Sequence, residues 1–342
     1  MNNRQKKLIS TLEKFTKIVD PVIKKALILN VSKKFRPLVK YPVSTGGKRL
    51  RPALAIMSCL MLGGKLKDAL YPAAGLEILH NYTLIIDDMI DHDFLRRGHP
   101  TTWALFGNSI AQCIGVEYAA TIFQAANNSK KVFLLSDLFS KTIKTVIEGE
   151  ILDILFERGG RENEPYVVKN RYRRVREKDY FEMISKKTAV LLQASCEVGA
   201  ICADANRKEL NALKRYGFNL GMLFQITDDI LDIFGDEKKF KKKIGRDIKE
   251  GKEGNIVILQ ALKELKPADM KKILNIMKKN KKNKKDIQNT MKLIHETNSR
   301  EKAYQLGRHF AEEANTSLKF LPQNKWNSVL KGLTDHILAR EK

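Results

Sequence analysis

The sequence of 342 residues contains no apolar run long enough to cross a membrane. No stretch approaches the roughly 18 consecutive apolar residues of a transmembrane helix. Charged residues interrupt the amino-terminal segment every few positions, so it lacks the continuous apolar centre of a signal peptide. These absences predict a cytoplasmic protein without a membrane span.

Cysteine is also scarce. The chain has four cysteines, which show neither CxxC spacing nor histidine partners, and each lies in an apolar helical context. Reduced core residues are the favoured interpretation of such a pattern. The residues concerned are Cys59, Cys113, Cys196 and Cys202.

Proline is sparse as well, with nine in the chain and none between Pro100 and Pro165 or between Pro165 and Pro267. Long segments can therefore form uninterrupted helices, because proline breaks helix interiors. Apolar residues recur at helical spacing from the start of the chain, and we find no convincing run of alternating strand residues. With 43% hydrophobic residues and no Pro-, Gly- or Ser-rich linker, the sequence predicts one all-α domain over residues 1–342.

Negative charge is in short supply, since 63 Lys and Arg against 39 Asp and Glu give a formal net charge of +24. Such an excess invites a nucleic-acid-binding interpretation. The densest lysine run, residues 271–285, carries almost no aromatic side chains for base stacking. We favour a solvated, lysine-rich helical surface with no nucleic-acid partner, and leave open a weak attraction to anionic membranes or RNA.

The most informative feature that is present is an acidic signature that occurs twice, DDMID at residues 87–91 and DDILD at residues 228–232. On a helix, each copy would gather its carboxylates within little more than one turn, where they repel one another unless cations lie between them. One such cluster would usually be a solvated helix end. Two copies with the same internal spacing favour two metal-binding walls that face one cavity. That arrangement suits a metal-bridged diphosphate substrate.

The predicted metal ligands are all oxygen donors, which favours Mg²⁺ over zinc. Mg²⁺ normally takes one or two carboxylates, several waters and substrate phosphate oxygens, so each motif could hold more than one ion once a phosphate arrives. The candidate ligands are Asp87, Asp88, Asp91, Asp228, Asp229 and Asp232.

Two basic segments supply candidate phosphate-binding cations. The segment GGKRLRP at residues 46–52 puts a glycine pair before cations, and Pro52 indicates a helix start. Alone, this segment is more typical of a surface turn. Arg96 follows Asp91 by five residues and is followed by Arg97, so this second pair of cations could meet a phosphate that the aspartates hold through metal.

Five motifs follow one another along the chain: GGKRLRP, DDMIDHDFLRRG, the Lys187-Thr188 pair, FQITDDILDIFGD and KIGRDIKEGKEGN. With this ordered set the sequence resembles the trans-isoprenyl diphosphate synthases, or polyprenyl synthetases, over nearly its whole length. The resemblance implies an all-α, single-domain helical bundle that surrounds a deep central cavity, and a homodimer. Two positions depart from the usual pattern: Ile86 stands where many members have His, and His99 where Lys is usual.

The same resemblance implies a reaction and assigns roles to residues. The reaction is a prenyl transfer that uses several Mg²⁺ ions to condense isopentenyl diphosphate with dimethylallyl, geranyl or farnesyl diphosphate, releasing pyrophosphate. The aspartates of both motifs would bind Mg²⁺ and, with Lys187, form the catalytic group. The implied ligands of the allylic diphosphate are Arg96, Lys187, Thr188, Gln225, Lys243 and Lys252. The implied ligands of isopentenyl diphosphate are Lys48, Arg51, His80 and Arg97.

Tyr82 lies five residues before Asp87, about 7.5 Å lower by helical rise. The resemblance assigns control of chain length to this position, with Thr83 beside it, and a bulky aromatic here is similar to archaeal-type geranylgeranyl diphosphate synthases. The alternative that Tyr82 merely packs against a neighbouring helix stays open. So do four other functions: a farnesyl or longer-chain synthase, a terpene cyclase, a non-catalytic synthase subunit and a nucleic-acid-binding module.

Overall fold

The computed structural model describes residues 3–236 and 244–341. Its amino-terminal part contains α1 Asn3–Ile28, α2 Arg36–Ser44, α3 Leu50–Met61 and α4 Leu66–Ile90, then the strands β1 Leu95–Arg96 and β2 His99–Pro100. The helices that follow are α5 Thr102–Phe106, α6 Asn108–Asn127, α7 Val132–Leu155, α8 Pro165–Asn170 and α9 Glu177–Ile184. A π-helix, Ser185–Ala189, joins α9 to α10 Val190–Cys202 and is followed by α11 Arg207–Phe234. The remaining helices are α12 Arg246–Glu250, α13 Ile256–Glu264, α14 Pro267–Met277, α15 Lys284–His295, α16 Ser299–Leu318, α17 Lys325–Leu338 and a 3₁₀ turn, Ala339–Glu341.

The predicted all-α class is confirmed. Within the described residues, the paired strands β1 and β2 contribute only two residues each. Helices α7 and α11 run for 24 and 28 residues through segments without proline. The amphipathic start of the chain forms α1, which buries Leu8, Phe15 and Val19.

The chain divides into two compact units. The first comprises Met1–Ile143, Leu191–Gly217 and Thr316–Leu333, and the second comprises Lys144–Val190, Phe218–Asn315 and Thr334–Lys342. Each unit is drawn from three stretches, so no single position in the sequence separates them, in keeping with the absence of a linker. That residues 1–342 act as one domain stays a prediction.

In the first unit, α4 packs closely against α6 and α7. A Cβ atom on Gly75 of α4 would lie 3.2 Å from Ala125 and 3.3 Å from the ring of Phe139. The buried Tyr118 hydroxyl donates to the carbonyl of Val39 (2.7 Å), which satisfies a polar group in this core. This packing supports the carboxyl end of α4, where the first aspartate motif lies.

In the second unit, α11 contributes an apolar stripe to the core. Ile226, Ile230 and Ile233 recur at helical spacing and are buried with Tyr180 of α9 and Ile256 of α13. Since these residues occupy one face of α11, its aspartates project from an adjacent one. The second motif is therefore attached to a well-packed helix.

Three of the four free cysteines are buried, as predicted, but Cys113 on α6 is exposed. The prediction of a core position is wrong for Cys113, because the apolar face of α6 that carries it is not covered within this chain. The described part of the chain contains no helix that is both long and apolar enough to span a membrane.

The lysine run lies on α14, on α15 and in the turn between them. Most of its lysines are exposed, and two have acidic neighbours: Lys272 pairs with Asp269 (2.8 Å) and Lys279 with Asp286 (2.6 Å). Lys282 is an exception, since it is half-buried and burial lowers its pKa. The geometry supports a solvated surface, while the absence of a nucleic-acid partner stays a prediction.

Candidate active site

The first aspartate motif lies at the carboxyl end of α4. Asp87 and Asp88 belong to its last turn, and Asp91 follows its final residue, with its backbone N–H donating to the carbonyl of Asp87 (2.8 Å). The carboxyl end of a helix carries partial negative charge, so carboxylates there are unfavourable unless cations compensate them. This placement favours a cation-binding role for the motif over a role in stabilising α4.

Asp88 already contacts a cation from the chain itself. The residue is 4% exposed, and its Oδ1 lies 2.7 Å from Nε and 2.6 Å from Nη2 of Arg96. Burial raises the pKa of Asp88, and Arg96 opposes that rise. The structure thus brings together one predicted metal ligand and one predicted phosphate ligand.

The hairpin of β1 and β2 presents two of the predicted cations, Arg96 and Arg97. Arg97 and Gly98 form its turn with φ angles of 55° and 79°. Nη1 of Arg97 donates to the carbonyl of Gly46 in the GGKRLRP segment. The two basic segments that the sequence analysis identified therefore contact each other within the first unit.

Gly47 is required by this contact. Its φ is 137°, and a Cβ atom there would lie 2.8 Å from Nη1 of Arg97 and 2.9 Å from Nη1 of Arg49. Only glycine combines that backbone conformation with so close an approach. The GGKRLRP segment is thus more than a surface turn, because it brings arginines of different segments together.

His80 lies among positively charged groups. Burial and four guanidinium groups hold its pKa well below the usual range, so the imidazole is neutral at pH 7. The four are Arg51, Arg97, Arg96 and Arg49. Burial also lowers the pKa of Arg51 to about 10, despite the attraction of Glu77. Burial and mutual repulsion both disfavour these grouped cations. A multiply charged anion would offset the repulsion, so the group is suited to bind one.

The sequence analysis missed two acidic residues that balance part of this charge. Arg49 is 4% exposed and donates to Oδ1 of Asp20 (2.7 Å) and to Oε1 of Glu77 (3.1 Å). Glu77 is almost fully buried, three residues before His80 on α4. The sequence does contain a signal for Glu77, which is a glutamate within an apolar helix. A buried carboxylate needs a cation or a hydrogen-bond donor as its partner. Lys48 lies exposed in the same segment as Arg49.

In the second unit, Asp229 is the most enclosed member of its motif. It accepts hydrogen bonds from the Tyr180 hydroxyl (2.8 Å), from Nε2 of Gln225 (2.8 Å) and from the backbone N–H of Ile256 (3.0 Å). Burial raises the pKa of Asp229 to about 7 in spite of these hydrogen bonds. Asp229 therefore gains stabilisation when a proton or another cation neutralises it.

Asp232 accepts hydrogen bonds from the backbone N–H groups of Arg246 (3.0 Å) and Asp247 (3.1 Å). Burial raises the pKa of Asp232 to about 6. Burial, Asp232 and Asp229 together raise the pKa of Asp247 well above its usual range. The three carboxylates influence one another, and a cation would relieve their repulsion. The sequence analysis identified the segment that contains Asp247 but not the residue.

Asp228 has a basic neighbour near the carboxyl terminus. Nη1 of Arg340 lies 3.3 Å from its Oδ1, and the guanidinium is 5.7 Å from the ring centre of Phe224. Arg340 was not predicted to be near the motif, because nothing local in the sequence connects the two positions.

The oxygen ligands of both motifs fit Mg²⁺ that binds together with a phosphate. Among the described residues, no group of three or more His, Cys, Asp or Glu has the geometry of a complete metal site. This is expected of Mg²⁺, which commonly takes few protein carboxylates and completes its shell with water and phosphate oxygens. The residues predicted to contribute such carboxylates are the aspartates of both motifs: Asp87, Asp88, Asp91, Asp228, Asp229 and Asp232.

The π-helix presents Lys187 and Thr188. A Cβ atom on Gly149 of α7 would lie only 2.2 Å from the backbone nitrogen of Lys187, so α7 and the π-helix approach as closely as glycine allows. The hydroxyl of Thr188 donates to Oε1 of Gln225 (2.8 Å), which in turn donates to Asp229 through Nε2. The structure thus connects three of the predicted site residues by hydrogen bonds.

Lys187 and Lys252, both predicted to bind the allylic diphosphate, meet at one carboxylate. Nζ of Lys187 lies 2.7 Å from Oδ2 of Asp153, and Nζ of Lys252 lies 3.2 Å from the same atom. Asp153 is another residue that the sequence analysis missed. The third predicted lysine, Lys243, lies outside the described residues.

Tyr82 lies on the part of α4 that faces α6. A Cβ atom on Gly115 of α6 would be 3.9 Å from its ring and 3.5 Å from Cδ1 of Ile86. The hydroxyl of Thr83 donates to the carbonyl of His80 (2.8 Å). Tyr82 therefore packs against a neighbouring helix, as the alternative interpretation proposed, which leaves its role in chain length a prediction.

An all-α fold with two aspartate motifs and a cluster of arginines defines the class as an isoprenoid-type synthase. The polyprenyl synthetase family model matches residues 32–294, and the chain belongs to that family. It is accordingly a prenyltransferase that elongates prenyl chains, and the family depends on Mg²⁺.

Relatives and solved structures agree with this membership. A short chain isoprenyl diphosphate synthase of Methanocaldococcus jannaschii is 36% identical over 75% of this chain and 74% of its own. A geranylgeranyl diphosphate synthase of Saccharolobus solfataricus is 35% identical over 87% of this chain and 88% of its own.

Two solved structures show the same fold. The geranylgeranyl pyrophosphate synthetase of Pyrococcus horikoshii has a TM-score of 0.88 and 29% identity, covering 99% of this chain and all of its own. A polyprenyl synthase of Caulobacter crescentus, solved with calcium and isoprenyl diphosphate, has a TM-score of 0.86 and 26% identity, covering 98% of this chain and 97% of its own.

Proposed function

We propose that this protein condenses isopentenyl diphosphate with an allylic diphosphate to give geranylgeranyl diphosphate and pyrophosphate. The group of arginines around His80 carries the proposal, because it accumulates positive charge that a diphosphate would neutralise. The archaeal geranylgeranyl diphosphate synthases among its relatives support a product of twenty carbons. The two units would act as one catalytic domain.

Each group of side chains has a distinct proposed role. The aspartates of both motifs would hold several Mg²⁺ ions, and when bound these ions would supply positive charge that stabilises the departing diphosphate group. The cationic and polar ligands of the allylic diphosphate are Arg96, Lys187, Thr188, Gln225, Lys243 and Lys252. The ligands of isopentenyl diphosphate are Lys48, Arg51, His80 and Arg97.

The side chains bind and orient the two substrates and exclude water. The C–O bond of the allylic diphosphate breaks to give an allylic carbocation and pyrophosphate. The double bond of isopentenyl diphosphate attacks this cation to form the new C–C bond, and the pyrophosphate accepts the proton that the condensed cation loses. Lys187 and Arg96 stabilise negative charge on the leaving pyrophosphate. Apolar surroundings keep water from the allylic carbocation.

The test is elongation by the purified chain alone. The protein is mixed with labelled isopentenyl diphosphate, Mg²⁺ and each allylic starter in turn, and product length is measured by chromatography. We expect twenty carbons from every starter, with almost no turnover in Asp87→Ala and Asp228→Ala variants that keep a wild-type circular dichroism spectrum. A main product of fifteen carbons, or of more than twenty, would contradict the proposed product. No elongation would favour a non-catalytic subunit, and a hydrocarbon from geranylgeranyl diphosphate alone would indicate a cyclase.

We also propose that the protein is a homodimer. An apolar face on α6 and at the start of α7 is exposed, with Val116 72% and Phe133 88% accessible, and Ile110, Phe123 and Leu134 also exposed. Several large apolar side chains exposed on neighbouring elements are typical of an interface. A second copy of the chain would bury it, together with the thiol of Cys113.

A further inference from the structure

One buried carboxylate connects Lys187 and Lys252, the two described lysines that are predicted to bind the allylic diphosphate. Asp153 lies on α7 and is 6% exposed. Its Oδ2 atom contacts Nζ of Lys187, from the π-helix, at 2.7 Å and Nζ of Lys252, from the segment after α12, at 3.2 Å. Because a single oxygen atom contacts both ammonium groups, the two positive charges are close neighbours.

Other carboxylates nearby also contact these lysines. Glu150 lies 2.6 Å from Nζ of Lys187, and Glu250 lies 3.2 Å from Nζ of Lys252. Asp153 contacts both ammonium groups through one oxygen atom. Burial by itself would raise the pKa of Asp153, but Lys187 and Lys252 outweigh burial and hold that pKa below its usual range. Asp153 therefore remains ionised at neutral pH.

Holding two lysine head groups close together costs free energy. Their charges repel, and each long side chain loses conformational freedom when its head group is held in one place. A shared carboxylate offsets the repulsion and orders both head groups before substrate arrives. Neighbouring ammonium groups match a ligand with two adjacent phosphoryl groups.

We propose that Asp153 is a positioning residue that holds Lys187 and Lys252 together for the diphosphate of the allylic substrate. The inference rests on the proposed function, because it takes the allylic diphosphate as the ligand of these lysines. Asp153 acts through the lysines and has no contact with the reacting atoms. Its loss lets the two ammonium groups separate, so binding of the allylic substrate weakens although both cations remain.

The test is a comparison of Michaelis constants for the two substrates. In Asp153→Asn we expect KM for the allylic diphosphate to rise about tenfold, while KM for isopentenyl diphosphate changes less than about twofold. Asp153→Glu keeps the charge on a longer side chain, and we expect it to restore part of the affinity. Glu197→Gln alters a carboxylate that pairs with Lys214 (3.1 Å) elsewhere, and we expect it to leave both constants unchanged.

Two further measurements separate the possible failures. Thermal melting shows whether each variant folds, and if Asp153→Asn is unfolded, Asp153→Glu carries the comparison, with an intermediate KM expected. Lys187→Ala tests the proposed function itself by raising the same allylic KM. If Lys187→Ala raises that KM but the Asp153 variants leave it unchanged or lower it, the positioning role is wrong. If Lys187→Ala has no effect either, both the ligand assignment and the inference built on it are wrong.

Discussion

At the scale of single residues, charge states depend on neighbours more than on residue type. His80 is kept neutral by burial and by the arginines around it, whereas Asp229 is pushed towards protonation by burial. Both shifts arise where the chain concentrates groups of like charge or places a charge out of water. Such arrangements lower the stability of the folded protein, and they are typical of functional sites.

Asp229 makes the stability of the metal-free protein depend on pH. Its pKa in the folded chain is about 7, against 3.8 for an unperturbed aspartate, so ionisation opposes folding. The free energy of unfolding therefore falls as the pH rises from about 4 to about 7. In EDTA we expect Asp229→Asn to show a smaller drop in melting temperature between pH 5.5 and pH 8 than the wild type, by a few degrees.

The control for this comparison is Asp137→Asn, which alters an exposed carboxylate paired with Lys141. It should keep the wild-type pH dependence. An equally steep dependence in Asp229→Asn would show that the pKa of Asp229 does not govern the effect.

Tyr82 supports a prediction about product length. Its ring occupies the space between α4 and Gly115 of α6, five residues before Asp87. Removing the ring opens that space to a longer prenyl chain, so we expect Tyr82→Ala to make products beyond twenty carbons. Tyr82→Phe retains the ring and should keep the wild-type product. Chromatography of the dephosphorylated products measures their chain length. An unchanged distribution of chain lengths in Tyr82→Ala would show that Tyr82 only packs against α6.

At the scale of helices, the contact of α7 with the π-helix positions Lys187 and Thr188. Gly149 allows that contact, since a Cβ atom would meet the backbone nitrogen of Lys187 at 2.2 Å. We expect Gly149→Ala to lower the free energy of unfolding by about 2 kcal/mol and to reduce turnover, because the backbone must move. Denaturant unfolding and steady-state rates measure the two effects.

Gly332 of α17 provides the matched control. A Cβ atom there would meet nothing within 4 Å, so Gly332→Ala should leave turnover unchanged. The helix gains up to about 1 kcal/mol from the better helix former. Equal effects of the two substitutions would refute the close-contact explanation.

At the scale of the whole molecule, the exposed apolar face on α6 and α7 predicts self-association. Val116 and Phe133 lie on it, and a charge at either position would have to be buried in the interface. We expect light scattering to show a dimer for the wild type and mainly monomer for Val116→Asp and Phe133→Asp. Tyr166→Asp changes an aromatic residue that is 68% exposed elsewhere and should stay dimeric. A monomeric wild type would rule out the proposed homodimer.

Several residues that the sequence singled out lie in contact with one another in the structure, because the signals for them are local. Spacing placed Asp87, Asp88 and the second motif on helices, whereas Asp91 follows the end of α4. Glycines next to cations predicted phosphate binding. The contacts of Glu77 and Asp153 were not predicted. An acidic residue in an apolar helix indicates that it needs a partner, but it does not identify which residue the partner is. Cys113 was wrongly assigned to the core, because an exposed apolar helix face and a buried one have the same pattern in the sequence.

The amino-acid sequence by itself determined the helical class and the family, and it predicted oxygen ligands for Mg²⁺ and a set of phosphate-binding cations. These properties follow from residue types at short, regular spacing. Only the tertiary structure decided which carboxylate pairs with which cation, how the arginines gather around His80 and which apolar face stays exposed. The physical reason is that ion pairing and burial depend on distances between residues that lie far apart along the chain.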